Sequence, residues 1–225
     1  MRVLRLVSTI IAATLCLAAS PPRANWLATV TVTPSGSHII GNPKAAVKLT
    51  EFVSYTCSHC AHFQQQADAP LGLVYVASGK VALEIRNFVR DPIDLTAAML
   101  TNCGGSARFQ RNHNAFLLGQ DKWIAVLGKA TAAQQARWST GSAMARRRAI
   151  ANDFGFYRIM EQRGYDRPTV DRCLGDEAMA QRIAAQRAEG DRLGVEGTPS
   201  FMLNDVLLAG THDWPSLQAQ LSARF

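Results

Sequence analysis

The stretch from Thr50 to Phe63, TEFVSYTCSHCAHF, limits what this chain can fold into more than any other. Strand-forming residues (Val47, Leu49, Phe52, Val53) run into the pair Cys57-Ser58-His59-Cys60, and Phe63, Gln64, Gln65, Gln66 and Ala67 then follow without a β-branched run. The pattern predicts a strand entering a helix, with Cys57 in the first helical turn. Unpaired backbone N–H groups and the helix dipole favour an anion there, so the thiolate gains over the thiol. Cys60, three residues on, falls on the same helix face, within reach of a disulfide that can form and open. The first reading is a redox dithiol.

His59 sharpens it. Its imidazole can offer a hydrogen bond or a positive charge to the Cys57 sulfur, and a stabilised thiolate makes the disulfide form an oxidant of other proteins. Glu51 sits six residues before Cys57 on the strand. Beneath the dithiol in a central strand it can take and return the Cys60 proton; elsewhere it is a solvated carboxylate, and alternation does not choose between the two. A structural zinc site would need a second Cys-x-x-Cys or a His pair at ligand spacing, whereas His38, His113 and His212 are scattered singly. No metal and no cofactor is expected.

Residues 1–20 read as a secretory leader: Arg2 and Arg5, a mostly apolar run from Leu6 to Leu17, then Ala18-Ala19-Ser20 before two prolines. The apolar run is short for a membrane span, so an uncleaved anchor is the runner-up. The residues before Cys16 do not suit lipoprotein processing. Removing the leader turns five cysteines into four, an even number that suits two disulfides in an oxidising compartment. It also lowers the formal charge from +7 to +5, because Arg2 and Arg5 leave 22 basic against 17 acidic residues. The surplus is unclustered apart from Arg146-Arg147-Arg148, which reads as a solvated helix face. No aromatics interleave with it, so nucleic acid is not an expected partner. A weak attraction to acidic clients or anionic lipid is.

Further along, Thr29–Thr33 alternates like a short strand, and Gly41-Asn42-Pro43 punctuates before the strand around residues 46–53. Pro70 should kink or break the Cys-x-x-Cys helix, with an apolar pattern resuming up to Gly79. Val81–Val89 alternates as the next strand, which completes a βαβ unit. From Pro92 to about Leu193 there is no convincing strand, only Ala-, Gln-, Arg- and Leu-rich segments cut by glycines, hence several short helices. Two apolar runs around Asn204-Asp205 make a hairpin. Asp213 and Pro215 then start a last helix with Leu217, Leu221 and Phe225 facing inward.

That order gives an α/β thioredoxin fold with an all-helical domain inserted: leader 1–20, thioredoxin-fold halves 21–92 and 194–225, helical insertion 93–193. Within the insertion, Leu95, Met99 and Cys103 recur on one helix face, and Val170, Cys173 and Leu174 mark the buried side of another. Cys103 and Cys173 are therefore expected in one small core as a structural disulfide, the alternative being two buried thiols acting as small hydrophobes. Thr198-Pro199 opens the hairpin strand. Beside a Cys-x-x-Cys helix a cis bond there would leave the Thr198 backbone free to pair with an extended client over Cys57.

From about Gly41 to Phe225 the chain resembles the DsbA-like thiol:disulfide oxidoreductases. The resemblance rests on Gly41-Asn42-Pro43, Glu51-Phe52, Tyr55, Cys57-Ser58-His59-Cys60, Phe63 and Gly197-Thr198-Pro199-Ser200-Phe201. It implies Cys57 as the attacked sulfur, Cys60 as the resolving one, His59 as tuning residue, Glu51 as buried acid and Pro199 as cis-proline. Two departures stand out: Ser58 where the family often has Pro, and Thr198 where the best-known oxidases have Val. The implied activity is donation of the Cys57–Cys60 disulfide to cysteine-bearing proteins folding in the periplasm, with reoxidation by a quinone-linked membrane oxidase. The few tens of residues between leader and dithiol strand suit a monomer, since dimeric isomerases carry a further domain there. An isomerase or reductase for a narrow client set, and a non-catalytic client-binding module or chaperone, are the alternatives.

Overall fold

The computed structural model describes residues 24–225; the predicted leader, Cys16 included, lies outside the described residues. Strand β3 (Val47–Val53) has only Lys48 exposed. It can be so apolar because it is covered on both sheet faces and paired on both edges. Its neighbours are β4 (Val81–Asn87), parallel, and β5 (Ser200–Leu203), antiparallel. β1 (Val30–Val32) and β2 (His38–Gly41) extend the sheet beyond β4, and β6 (Val206–Leu207) beyond β5, giving the order β1-β2-β4-β3-β5-β6. Asn204 and Asp205 both take positive φ, 48° and 65°, as a two-residue hairpin between β5 and β6 requires.

Helix α1 (Ser58–Pro70) follows β3 and does not break at its proline. The chain winds on through a wider π turn (Leu71–Val76), where the Ala77 N–H reaches back to the Gly72 carbonyl at 2.8 Å. The expected kink at Pro70 is thus replaced by continued winding, since Pro70 occupies the last turn of α1 and the π turn carries on from it.

Between β4 and β5 lie eight helices: α2 (Pro92–Thr101), α3 (Ser106–Leu118), α4 (Gln120–Ile124), α5 (Ala132–Ser139), α6 (Ala143–Asp153), α7 (Phe156–Gln162), α8 (Arg167–Leu174) and α9 (Glu177–Arg192). Their core is continuous with the sheet: one apolar cluster joins Ile40, Val53 and Ile85 of the strands to Phe116, Ile150 and Leu174 of the helices. Cys103, just past α2, and Cys173 in α8 are bonded to each other across 70 residues of sequence. On α9, Gly190 lets the helix lie against the sheet, because a Cβ there would stand 2.8 Å from the Phe88 ring.

The opposite sheet face is covered by α1 and by α10 (Trp214–Ser222), whose Leu217 and Leu221 are fully buried with Phe63 and Phe201. Asp213 caps α10 by accepting from Ser216 N–H at 2.9 Å. Two expectations are corrected here. Phe225 does not face inward; it lies beyond the end of α10, 52 % exposed, with its ring near Tyr75 and under Lys80. The Arg146–Arg148 run is solvated only in part, with Arg148 exposed and Arg146 half-buried. Arg147 is buried and bound to Glu177, at 2.6 Å, and to the Leu174 carbonyl, because α6 packs against α8 at that point.

Candidate active site

Cys57 caps the N-terminus of α1, and both it and Cys60 are free thiols. The Cys57 S–H points to the Thr198 carbonyl at 3.1 Å, and the Thr198–Pro199 bond is cis. The Thr198 hydroxyl is buried without a partner in this arrangement. Once Cys57 is ionised, the donors turn toward it. The Cys60 thiol is the strongest, then the Thr198 hydroxyl and the Cys60 backbone N–H, with the Arg90 charge behind them. Together they outweigh the cost of partial burial and bring the Cys57 thiol down to about 4.

Cys60 goes the other way. It has no exposed surface, and burial, the hydrogen bond it gives to Cys57 and the charges of Cys57 and Glu51 push its thiol well above the ordinary range. Glu51 lies on the central strand, opposite Ile85 and Phe201, 1 % exposed. Its Oε1 has no hydrogen-bond partner, and burial raises its carboxyl to about 8. A cavity of about 30 Å³ beside it is shared with Gln64, Asp68, His113 and Asn114, and is large enough for a water molecule.

The geometry therefore brings Cys57, Cys60, Thr198, Pro199 and Glu51 to one end of the sheet. His59 is placed differently. Its side chain is exposed and makes no hydrogen bond to the Cys57 sulfur; the positive charge acting on Cys57 is that of Arg90. The bonded pair Cys103–Cys173 packs into the apolar cluster that also holds Cys57 and Cys60. Among the described residues there is no cluster of three His, Cys, Asp or Glu side chains that could hold a metal ion.

Several residues that the sequence did not single out hold the Ser54-Tyr55-Thr56 turn leading into Cys57. Asp94, fully buried in α2, accepts from Ser54 Oγ at 2.6 Å, from Tyr55 N–H at 2.7 Å and from Arg90 N–H at 3.0 Å. Burial still lifts its carboxyl to about 7 against those donors. The Arg90 guanidinium donates to Ser54 Oγ at 2.9 Å and Thr56 Oγ1 at 3.1 Å. Asp91 caps α2 and accepts from Thr56 Oγ1 at 2.8 Å. From α4, the Gln120 amide donates to the Tyr55 and Cys57 carbonyls at 2.7 and 2.8 Å. Asp91-Pro92 carries the sequence signal of a helix start, by which the cap could have been found. Nothing in the sequence marks Gln120, which reaches the dithiol only through tertiary packing.

A family model described as thioredoxin matches residues 33–223. A protein of Rickettsia prowazekii described as a protein-disulfide oxidoreductase is 31% identical over 170 residues, 75% of this chain and 54% of that protein. Across such curated relatives the chain spans between 31% and 57% of their length. Among solved structures, a protein-disulfide isomerase from Novosphingobium aromaticivorans is 52% identical with a TM-score of 0.81, covering 84% of this chain and 97% of that one. Wolbachia pipientis alpha-DsbA1, at 19% identity and a TM-score of 0.68, covers 85% of this chain and 92% of its own and shares the fold. With sheet, dithiol helix and inserted helices all in place, this chain belongs to the thioredoxin family.

Proposed function

We propose that the chain is an exported thiol:disulfide oxidoreductase that donates its Cys57–Cys60 disulfide to cysteine-bearing proteins folding outside the cytoplasm. The observation that carries this reading is the setting of the two sulfurs: Cys57 at the α1 N-terminus against the Thr198 carbonyl of the cis-proline loop, and Cys60 one turn on with no exposed surface, so that the first thiol is brought down and the second pushed up. A client thiolate attacks Sγ of Cys57, the Cys57–Cys60 bond breaks, and Cys60 leaves with the electron pair. Its high basicity makes it take a proton, which Glu51, protonated up to about pH 8, is positioned to deliver. A second client thiolate then attacks the client sulfur of the mixed disulfide and expels Cys57 as a thiolate. That is a good leaving group because its own pKa is low. The client leaves oxidised and the enzyme leaves as a dithiol, to be reoxidised by a quinone-linked membrane oxidase. Thr198 and Pro199 form the loop against which an extended client segment pairs, and Cys103–Cys173 is a structural bond in a helical insertion spanning residues 93–193. The protein acts as a monomer.

The experiment is the redox equilibrium of the purified protein with glutathione. A strongly oxidising dithiol, mostly reduced at equilibrium with the glutathione pool, is expected. A potential as reducing as that of thioredoxin overturns the oxidase reading. The Novosphingobium relative is called an isomerase, which favours a second reading in which the reduced dithiol reshuffles wrong disulfides. Recovery of scrambled ribonuclease by the reduced protein, without added oxidant, distinguishes it.

A further inference from the structure

Beside the dithiol, a groove of about 320 Å³ runs between the β4–α2 connection and α6. Val89, Pro92, Leu95 and Ala143 give it apolar walls. Its charges are not balanced. Arg147 in its lining is bound to Glu177, and Asp91, which accepts from Thr56 Oγ1 and from the Ile93 and Asp94 N–H groups at 2.8 Å each, keeps its negative charge there, so three arginines stand against two carboxylates. The surplus sits on the guanidinium groups of Arg90 and Arg146, neither of which is in an ion pair among the described residues. Arg90 is exposed and held by Ser54 and Thr56, so one end of the groove opens next to Cys57. Arg146 is anchored on the α6 wall by its bond to the Gly141 carbonyl at 2.6 Å. Two fixed guanidinium groups over apolar walls suit an extended peptide with a carboxylate among short apolar side chains.

We propose that this groove seats client segments carrying Asp or Glu within a few residues of the reacting cysteine, with the carboxylate on Arg146 and Arg90 at the mouth. The proposal rests on the oxidoreductase reading and names its preferred substrates. Such a contact acts on encounter and docking, so it sets which cysteines react fastest and is weakened by salt.

Three dithiol peptides, identical except for Asp, Asn or Lys two residues before the first cysteine, test it through the single-turnover rate constant of the oxidised protein with each. The Asp peptide should outpace the Lys peptide by about fivefold at low salt, the ratio falling as salt rises. Because each ratio is taken within one protein, a partly folded variant does not distort it. Arg146→Glu should abolish or reverse the preference. Arg158→Glu, the same charge change on an exposed arginine of α7 outside the groove, should keep it. Equal rates for all three peptides, or equal losses in both variants, overturn the groove while leaving the oxidase reading intact. If wild type oxidises none of them, the oxidase reading falls and the groove falls with it.

Discussion

The sulfur of Cys57 meets the chain's surface chemistry: a helix N-terminus, the Thr198 loop and the Arg90 charge. The sulfur of Cys60, one turn deeper, meets buried groups and a carboxyl with an unpartnered oxygen. The two residues are chemically identical and adjacent on one helix, so their opposite acidities come entirely from what the fold puts around them. The pair therefore works as one device. The S–H of Cys60 is the largest force holding the Cys57 thiolate, and the Cys57 charge in turn helps keep Cys60 protonated.

Removing one partner should uncouple the two sulfurs. In Cys60→Ala the thiolate loses its strongest donor, and the Cys57 pKa should climb from about 4 by a few units toward its ordinary 9.0. Ultraviolet thiolate absorbance followed against pH reads this directly. Cys60→Ser, which keeps a donor, should sit between the two. A titration unchanged in the Ala variant would mean that the helix terminus alone sets the acidity.

Glu51 tests the buried side. Its carboxyl is raised to about 8 by burial, so between pH 4.5 and 8 the folded protein holds a proton that the unfolded chain has released. Stability from this group is therefore fully present below pH 4.5 and lost as pH rises through 8. The loss amounts to as much as about 5 kcal/mol. Relative to wild type, Glu51→Gln should gain stability steadily across that window. The measurement belongs on the disulfide form, where neither Cys57 nor Cys60 titrates. His38 and His113, whose burial lowers them to about 4 and about 3, titrate in both proteins and cancel in the difference. A pH-independent difference would place Glu51 in contact with water and remove it as the proton donor to Cys60.

The two sides of the dithiol also differ in how far the sequence reveals them. The central strand, the dithiol helix and the hairpin are legible because apolar runs, turn residues and short spacings are local signals, whereas the burial of Glu51 is not decided by alternation. β2 escaped because it is four residues long and carries His38, a polar residue buried by stacking on the Phe109 ring of α3 at 3.7 Å. The polar clamp on the Cys57 side escaped for a related reason. Asp94 and Gln120 lie 39 and 65 residues from the Tyr55 backbone groups they hold, and such pairings exist only once α2 and α4 are docked. His59 misled in the opposite sense: it is adjacent in sequence, but the helix turns it toward solvent.

The second cysteine pair sharpens the contrast between a sulfur that exchanges and one that does not. Cys103 is wholly buried in the helical core, with the Asn112 amide and Tyr165 hydroxyl donating to its carbonyl at 3.1 and 2.7 Å. Closing 70 residues should stabilise the fold by about 4 kcal/mol on the chain-entropy model. Changing Cys103 and Cys173 together to Ser should therefore lower the denaturation midpoint while leaving the Cys57 titration where it was. A shift in that titration would show the two pairs to be coupled, and the division between them would fail.

The smallest expected effect separates the two candidate cations on the Cys57 side. Arg90 is tied to Ser54 and Thr56, which fixes its charge near the thiolate, where it helps to lower the Cys57 thiol. That charge ranks behind the hydrogen bonds from Cys60 and Thr198, and Arg90 itself is exposed to screening solvent. Arg90→Gln should therefore raise the Cys57 pKa by less than about one unit. The effect should shrink further at high salt, where a hydrogen bond would not respond. His59, exposed and unbonded to the sulfur, should give less again when changed to Ala. The same thiolate titration, run at low and high salt on both variants, decides the order. If His59→Ala moves the curve more than Arg90→Gln does, the imidazole swings onto the sulfur in solution, and the charge on the exchanging side belongs to the dithiol turn and not to the β4–α2 connection.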